Sequence, residues 1–402
     1  MPETIAFVPP RYGEEVVGGA ETLVRELAEE LKRRGWPVEI LTTRARDHYT
    51  WANYYPEGED EVHGIRVRRF AAVTQQTDPQ VRKLHTRVLD SKRMPVKDQV
   101  AWISNTVSSP DMLEYITSHC DDYRAFIFAP YLFGTTYLGS MAVPEKAFVI
   151  SCLHDEAYAR LPIFKQMLHA ARGALFNTRP EEELARRLMG EDLRGWVVGM
   201  GFDSKPSDGR RFRAKFGVEG DFLLYMGRRE PGKNTPLLVQ YFCNYLHHTG
   251  RDLKLVLTGS GHVEIPHRFR ESIIDLGFIS ERDKWDSYSA ASLLCQPSVN
   301  ESLSIVMLQA WLWGLPCLVH ADCPVCRDHV VRSGGGLYFG NYAQFHEELD
   351  LILGNPDLAQ RMGAAGRAYV ESEFPWDVVV QHFQEALDEG LGDAGRGEGG
   401  VA

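Results

Sequence analysis

Two stretches in the second half of the chain combine charge, glycine and helix-forming residues in a way that suits a phosphorylated ligand. YMGRREPGKN (225–234) places Arg228 and Lys233 in a loop directly after an apolar run. A guanidinium and an ammonium at that point could neutralise a diphosphate as it departs from its ester carbon. SVNESLSIVMLQAWLWGLPCLVH (298–320) opens on a polar turn carrying Glu301 and continues as an apolar helix from Leu303 to about Trp313. Leu303, Val306, Met307, Ala310 and Trp311 recur at steps of three and four, so one face is core; Ser304 and Gln309 are the polar exceptions. The amides of Leu303 and Ser304 at the predicted helix start could hold a phosphate, with Glu301 and Gln309 reaching sugar hydroxyls beside it. Taken alone, the stretch reads equally well as a capped core helix after a loop.

In the first half, Gly18 and Gly19 open a helix predicted over about Ala20 to Arg34. Two adjacent glycines let backbone amides approach a ligand, although a plain tight turn accounts for the pair as well. The G-x-G-x-x-G spacing of a dinucleotide site is absent. AFVISCLHD (147–155) ends in His154 and Asp155, at the carboxyl end of a predicted strand, where open α/β sheets bind ligands. CPVC (323–326), near Cys317, His320 and His329, has one ligand-like pair but no second, so no metal site is read here.

The elements that must position these residues alternate. Strands are predicted at TIAFVPP, VEILTT, GIRVRRF (an edge strand), AFIFAP, AFVIS, ALFNT and WVVGMGFD. The rhythm restarts with FLLYMG, KLVLTGSG, LGFIS, SLLCQPS, PCLVH and SGGGLYF, with helices between. Strands alternating with helices at this rhythm imply two doubly wound α/β domains. A final helix begins at FPWDVVV, and the glycine-rich end of the chain predicts disorder.

The chain has 402 residues, enough for two cores, with 25% charged and 44% hydrophobic residues, ordinary for a globular protein. A formal charge of −11 argues against nucleic-acid binding. No run is long and apolar enough for a membrane span, and MPETIAFVPP lacks a signal-peptide pattern, which predicts a cytoplasmic protein. Seven Cys scattered over the chain fit reduced thiols. Against the acidic background, 79–98 carries Arg82, Lys83, Arg87, Lys92, Arg93 and Lys97. A solvated helix face explains this patch, and so does a docking surface for an acidic acceptor or the anionic inner face of a membrane.

ESLSIVMLQAWLWGLP, GRREPGKN and the GGAE of residues 18–21 resemble the motifs of retaining glycosyltransferase family 4, over residues 3 to 388. The resemblance implies the GT-B fold, two Rossmann-like doubly wound domains facing across a cleft. Residues 1–200 would form the acceptor-side domain and 201–374 the nucleotide-sugar domain. Residues 375–390 would be a helix crossing back, and 391–402 a disordered tail. Met200, Gly201 and Asp203 stand where the family has N-G-x-D at the crossover.

The implied activity is retaining transfer of a sugar from a UDP- or GDP-sugar to a hydroxyl of a glycan or lipid-linked acceptor, without metal or other cofactor. His154, Glu301, Arg228 and Lys233 would form the catalytic set. Gly18, Gly19, Arg228, Lys233, Leu303 and Ser304 would surround the diphosphate. His154, Glu301 and Gln309 would contact sugar and ribose. Gly259, Phe278 and Ile279 would line the base pocket, chiefly with backbone groups. Gln309 replaces the family's second Glu. Exchanging a charged for a neutral hydrogen-bond acceptor costs on the order of 1 kcal/mol, about fivefold in affinity, so activity is expected to persist. The alternatives are a non-catalytic sugar-nucleotide-binding homologue and a GT-B sugar-nucleotide epimerase.

Overall fold

The computed structural model describes residues 3–90 and 93–392. These divide into two compact units, one running to Gly201 and resuming at Trp376, the other spanning Phe202–Pro375. Each is a Rossmann-like, doubly wound parallel sheet flanked by helices.

Among the described residues, the first unit's sheet contains β1 (Ile5–Val8), β2 (Val38–Thr43), β3 (Gly58–Val62), β4 (Ile65–Phe70), β5 (Ala125–Phe128), β6 (Ala147–Ile150), β7 (Gly173–Phe176) and β8 (Gly195–Val197). Their spatial order is β3-β4-β2-β1-β5-β6-β7-β8. β1, β5, β6 and β7 are short apolar runs buried throughout, as strands covered on both faces must be. The helix Gly19–Arg33 covers one face with Leu23, Val24, Leu27, Ala28 and Leu31.

GIRVRRF is not the edge strand that its polarity suggests. β4 pairs in parallel with β2 and antiparallel with β3, and β3 forms the edge. The edge sequence, GEDEV, is acidic enough to read as a loop. Two of its charges are met across the strands instead, with Arg68 2.7 Å from Glu59 and Arg69 2.9 Å from Asp60. A charged edge also discourages pairing with other chains.

The second unit's sheet holds β9 (Phe222–Met226), β10 (Lys254–Thr258), β11 (Ile273–Gly277), β12 (Leu293–Gln296), β13 (Cys317–His320) and β14 (Gly336–Phe339), in the order β11-β10-β9-β12-β13-β14. The chain reverses direction of build-up at β9, so the loops after β9 and β12 flank the topological switch point, where open sheets bind ligands. The strand expected at LGFIS lies earlier, at β11, because Gly277 turns left-handed and ends it. Phe278 therefore follows the strand, with 65% of its surface exposed. The helix expected from Leu303 to Trp313 is shorter, Ile305–Leu312. Ser304 stands at its N-cap in the left-handed region (φ 61°), leaving Leu303 and Ser304 in the preceding turn.

The last helix, Trp376–Gly392, packs on the first unit. Phe383 stacks on Phe7 at 6.1 Å, and Asp377 accepts a 2.6 Å bond from Arg34. A Cβ at Gly201 would lie 2.2 Å from the Trp376 ring, so glycine at that position is a packing requirement for the start of this helix. Residues 391 and 392, expected in a disordered tail, are helical. The rest of that expectation, 393–402, lies outside the described residues, as does Lys92 of the basic stretch.

Candidate active site

The second unit's site is built where the loops after β9 and β12 meet. Tyr225 Oη donates to the Arg228 carbonyl at 2.7 Å, folding the β9 loop back on its own strand. Arg229 then fastens that loop to the one after β10. Its buried guanidinium binds the Asp275 carboxylate and donates to the Gly259 carbonyl at 2.8 Å, while its amide donates to the Ser260 carbonyl at 2.7 Å. With Arg229 held inward, Arg228 is turned outward, half-exposed and 3.0 Å from Glu230.

Lys233 and Glu301, 68 residues apart in sequence, meet here. Lys233 Nζ donates to Glu301 Oε1 at 2.8 Å and lies 3.5 Å from the Asn300 carbonyl. Asn234 Nδ2 donates to the Pro297 carbonyl at 3.1 Å, so a second bond ties the same two loops. The pair is largely shielded, with 22% and 12% of the two side chains exposed, which strengthens its attraction over that of a surface pair. Within the chain, each cation of the site has a carboxylate against it, Arg228 with Glu230 and Lys233 with Glu301. An arriving diphosphate would compete with those carboxylates for both cations.

The helix Ile305–Leu312 points its amino end at the Glu301 turn. Met307 N–H already donates to the Ser304 carbonyl at 3.0 Å, so the first-turn amides left over are those of Ile305 and Val306. Gln309, a polar exception in this apolar helix, is buried, and its Oε1 accepts from Tyr288 Oη at 3.3 Å. Of the expected base-pocket residues, Gly259 has both backbone groups engaged, its amide on the Gly277 carbonyl at 2.8 Å and its carbonyl on Arg229. A Cβ there would lie 2.0 Å from the Gly227 carbonyl oxygen, so this glycine serves the close approach of two loops. Phe278 is exposed and Ile279 half-buried.

The CPVC pair opens the helix Pro324–Ser333, and both thiols are fully buried. The neighbouring Cys323 and burial push the Cys326 thiol well up, so that sulfur is a poor ligand and nucleophile. His329 Nδ1 is bonded to Tyr369 Oη at 2.9 Å, and burial lowers its pKa to about 3. No cluster of His, Cys, Asp or Glu among the described residues could hold a metal ion.

In the first unit, Gly18 is the N-cap of Gly19–Arg33, and a Cβ at Gly19 would meet nothing within 4 Å. Glu21 of the same turn is bound by Arg11, which also donates to the Arg46 carbonyl at 2.9 Å. His154 lies in the loop after β6, partly exposed, with Nδ1 3.9 Å from Glu156. Tyr131 Oη holds Glu156 at 2.9 Å. Asp155 binds both Arg160 and Arg187.

The family described as Glycosyl transferases group 1 matches residues 208–369, nearly all of the second unit. The D-inositol 3-phosphate glycosyltransferase of Streptomyces bingchenggensis is 30% identical over 59% of this chain and 57% of its own length. That of Nocardia farcinica is 26% identical over 96% of this chain and 87% of its own. Among solved structures, Anabaena HepE in complex with UDP-glucose superposes with a TM-score of 0.66 at 15% identity, covering 96% of this chain and 98% of that one. At that identity the likeness concerns the fold, which is GT-B.

Two residues escaped sequence reasoning. Arg229 is adjacent to the motif cation and indistinguishable from it by type; only burial separates them. Glu181 sits in PEEEL, which reads as a solvated helix start, yet it is fully buried. The one available signal is the T-x-x-E spacing from Thr178, a capping-box pattern. The Glu181 amide does bond Thr178 Oγ1, at 3.3 Å.

Proposed function

We propose that this chain transfers a sugar from a nucleoside diphosphate sugar to an acceptor hydroxyl with retention of anomeric configuration. The observation that carries the reading is the meeting of Lys233 and Glu301 at 2.8 Å at the switch point of the second sheet. It joins a diphosphate-binding cation to a carboxylate suited to sugar hydroxyls. The name of the HepE complex adds a nucleotide sugar on the same fold.

In the reaction, the bond between the sugar's anomeric carbon and the β-phosphate oxygen breaks, and the acceptor oxygen bonds to that carbon on the same face. The acceptor's proton passes to the departing phosphate. Arg228 and Lys233 balance the charge growing on that phosphate, where such help lowers the barrier most. Glu301 and His154 orient the sugar, Gly18 and Gly19 let backbone amides approach the diphosphate, and Gln309 faces the ribose. The chemistry calls on no metal. The names of the relatives carry an inositol phosphate, so phosphorylated polyols belong among the acceptors tried beside glycans and lipid-linked sugars. Lys83, Arg82 and Lys97, flanked by Leu89 and Val96 at 51% exposure each, would serve a lipid-linked acceptor by docking on an anionic membrane. No helix among the described residues is long and apolar enough to cross one.

Calorimetry with UDP, GDP, ADP and their sugar conjugates, without added metal, tests the reading. Binding of one nucleotide that is lost in Lys233→Ala supports it; NMR of the product anomer then decides retention. A folded chain that binds none of them would leave the non-catalytic reading standing.

A further inference from the structure

The loop that presents His154 is held from beneath by a buried carboxylate. Glu181 belongs to the helix Arg179–Met189 and is 1% exposed. Its Oε1 accepts the Ser151 hydroxyl and the Leu153 amide, each at 2.6 Å, and its Oε2 accepts the Asn177 amide at 2.6 Å. Ser151 and Leu153 bracket Cys152, whose φ of 49° is left-handed. A non-glycine residue keeps that conformation when its surroundings fix it. Asn177 Nδ2 reaches the Cys152 sulfur at 3.7 Å, adding a contact to the same kink. His154 is the next residue after the segment so held. A fully buried carboxylate is costly to keep, and the hydrogen bonds from Ser151, Leu153 and Asn177 offset that cost.

We propose that Glu181 is a positioning residue: by fixing the left-handed turn at Cys152 it sets the direction in which His154 faces the transferred sugar. The inference rests on the reading of His154 as the group that contacts that sugar. It assigns Glu181 no contact with substrate. Its two oxygens draw the end of β6 and the end of β7 together, and the turn between them leaves His154 one orientation. A glutamine in its place would present an amide N–H₂ to at least one backbone N–H, so one of the three bonds must break. Ser151→Ala removes one donor and leaves the carboxylate on the two amides.

The test uses the full chain with ring-labelled histidine, His154 being assigned by comparison with His154→Gln. In Glu181→Gln the His154 ring signal is expected to move or broaden and its titration to change, while the affinity for UDP or GDP, whichever the native chain binds, stays within about twofold. With the sugar nucleotide that the native chain turns over, kcat is expected to fall at least 30-fold and KM to stay within about threefold. Ser151→Ala should show the same pattern more weakly, about threefold in kcat, and it serves if Glu181→Gln does not fold. A folded variant with an unchanged His154 signal would overturn the proposal. The ring signal reads Glu181 even if no sugar nucleotide is turned over, so failure of the positioning role and failure of the transferase reading give different results.

Discussion

Two loops, one in each unit, solve the same problem with opposite charges. After β9 the buried cation Arg229 grips Asp275 and the Gly259 carbonyl, and the neighbouring Arg228 is thereby turned outward. After β6 the buried anion Glu181 grips three neutral donors, and His154 follows the segment it holds. The difference lies in the compensation. Arg229 has a carboxylate against it, so its buried charge is paired. Among the described residues no charged group opposes Glu181; burial pushes its pKa up to about 7, while the bonds from Ser151, Asn177 and Leu153 pull the other way. A scaffold built on an ion pair should be insensitive to pH near neutrality, and one built on a lone buried carboxylate should not.

The largest expected effect lies outside both braces, at the Lys233–Glu301 contact. Lys233→Ala removes the ammonium that would meet the leaving phosphate, and turnover should fall about 10²–10³-fold, the range for losing one such stabilising group. Glu301→Gln separates the two roles of the pair. Nucleotide diphosphate affinity should hold or rise, because Lys233 loses its internal competitor, while transfer collapses. Calorimetry beside a transfer assay reads both, and a joint loss of binding and transfer in Glu301→Gln would contradict the competition.

Cutting the cationic brace is next in size. Arg229→Met leaves Asp275 and the Gly259 carbonyl without their donor. Asp275 is partly exposed and can recover water, so the expected loss is about 2–3 kcal/mol, below that of a fully buried broken pair. Urea unfolding measures it. A loss under about 0.5 kcal/mol would mean that the β9 and β10 loops stay joined without the arginine.

The anionic brace sharpens the contrast through pH. In the unfolded chain Glu181 titrates near 4.5, and in the folded chain near 7. Between those values the folded protein keeps a proton that the unfolded chain has lost, so stability falls as pH rises. This contribution is fully present below pH 4.5 and lost by about pH 7, a change of about 3 kcal/mol. Subtracting the unfolding free energy of Glu181→Gln from that of the native chain at each pH isolates the slope. A flat difference from pH 4.5 to 7.5 would show that the three donors outweigh burial and keep the carboxylate ionised throughout.

Much of this architecture was legible because it is written in periodicity. β2 occupies VEILTT to the residue, and the helix opening at the glycine pair is displaced by one position. Legibility failed where tertiary pairing overrides local character. GEDEV becomes a strand only because Arg68 and Arg69 lie opposite. The helix after Glu301 starts late because Ser304 turns left-handed, which no apolar spacing records. Lys233 and Glu301 were singled out from their motifs, and the structure brings the two together. Arg229 and Glu181 were not, because bracing constrains burial and partners, and a sequence of ordinary charged residues shows neither.

The smallest expected effect concerns Gln309, and it compares the two braces with a buried residue proposed to face the ribose. Its Oε1 already accepts from Tyr288, 3.3 Å away, inside the second unit. A glutamate there would keep that bond and offer ribose hydroxyls a charged acceptor, worth about 1 kcal/mol more than the amide. The same burial that raises Glu181 would act on the new carboxylate and return part of the gain. Gln309→Glu should therefore tighten the nucleotide sugar by about fivefold at most and leave kcat within about twofold. The native chain must already be active for that outcome to be seen. If Gln309→Glu instead creates transfer where the native chain shows none, Gln309 is what silences the site, and the chain binds sugar nucleotides without turning them over.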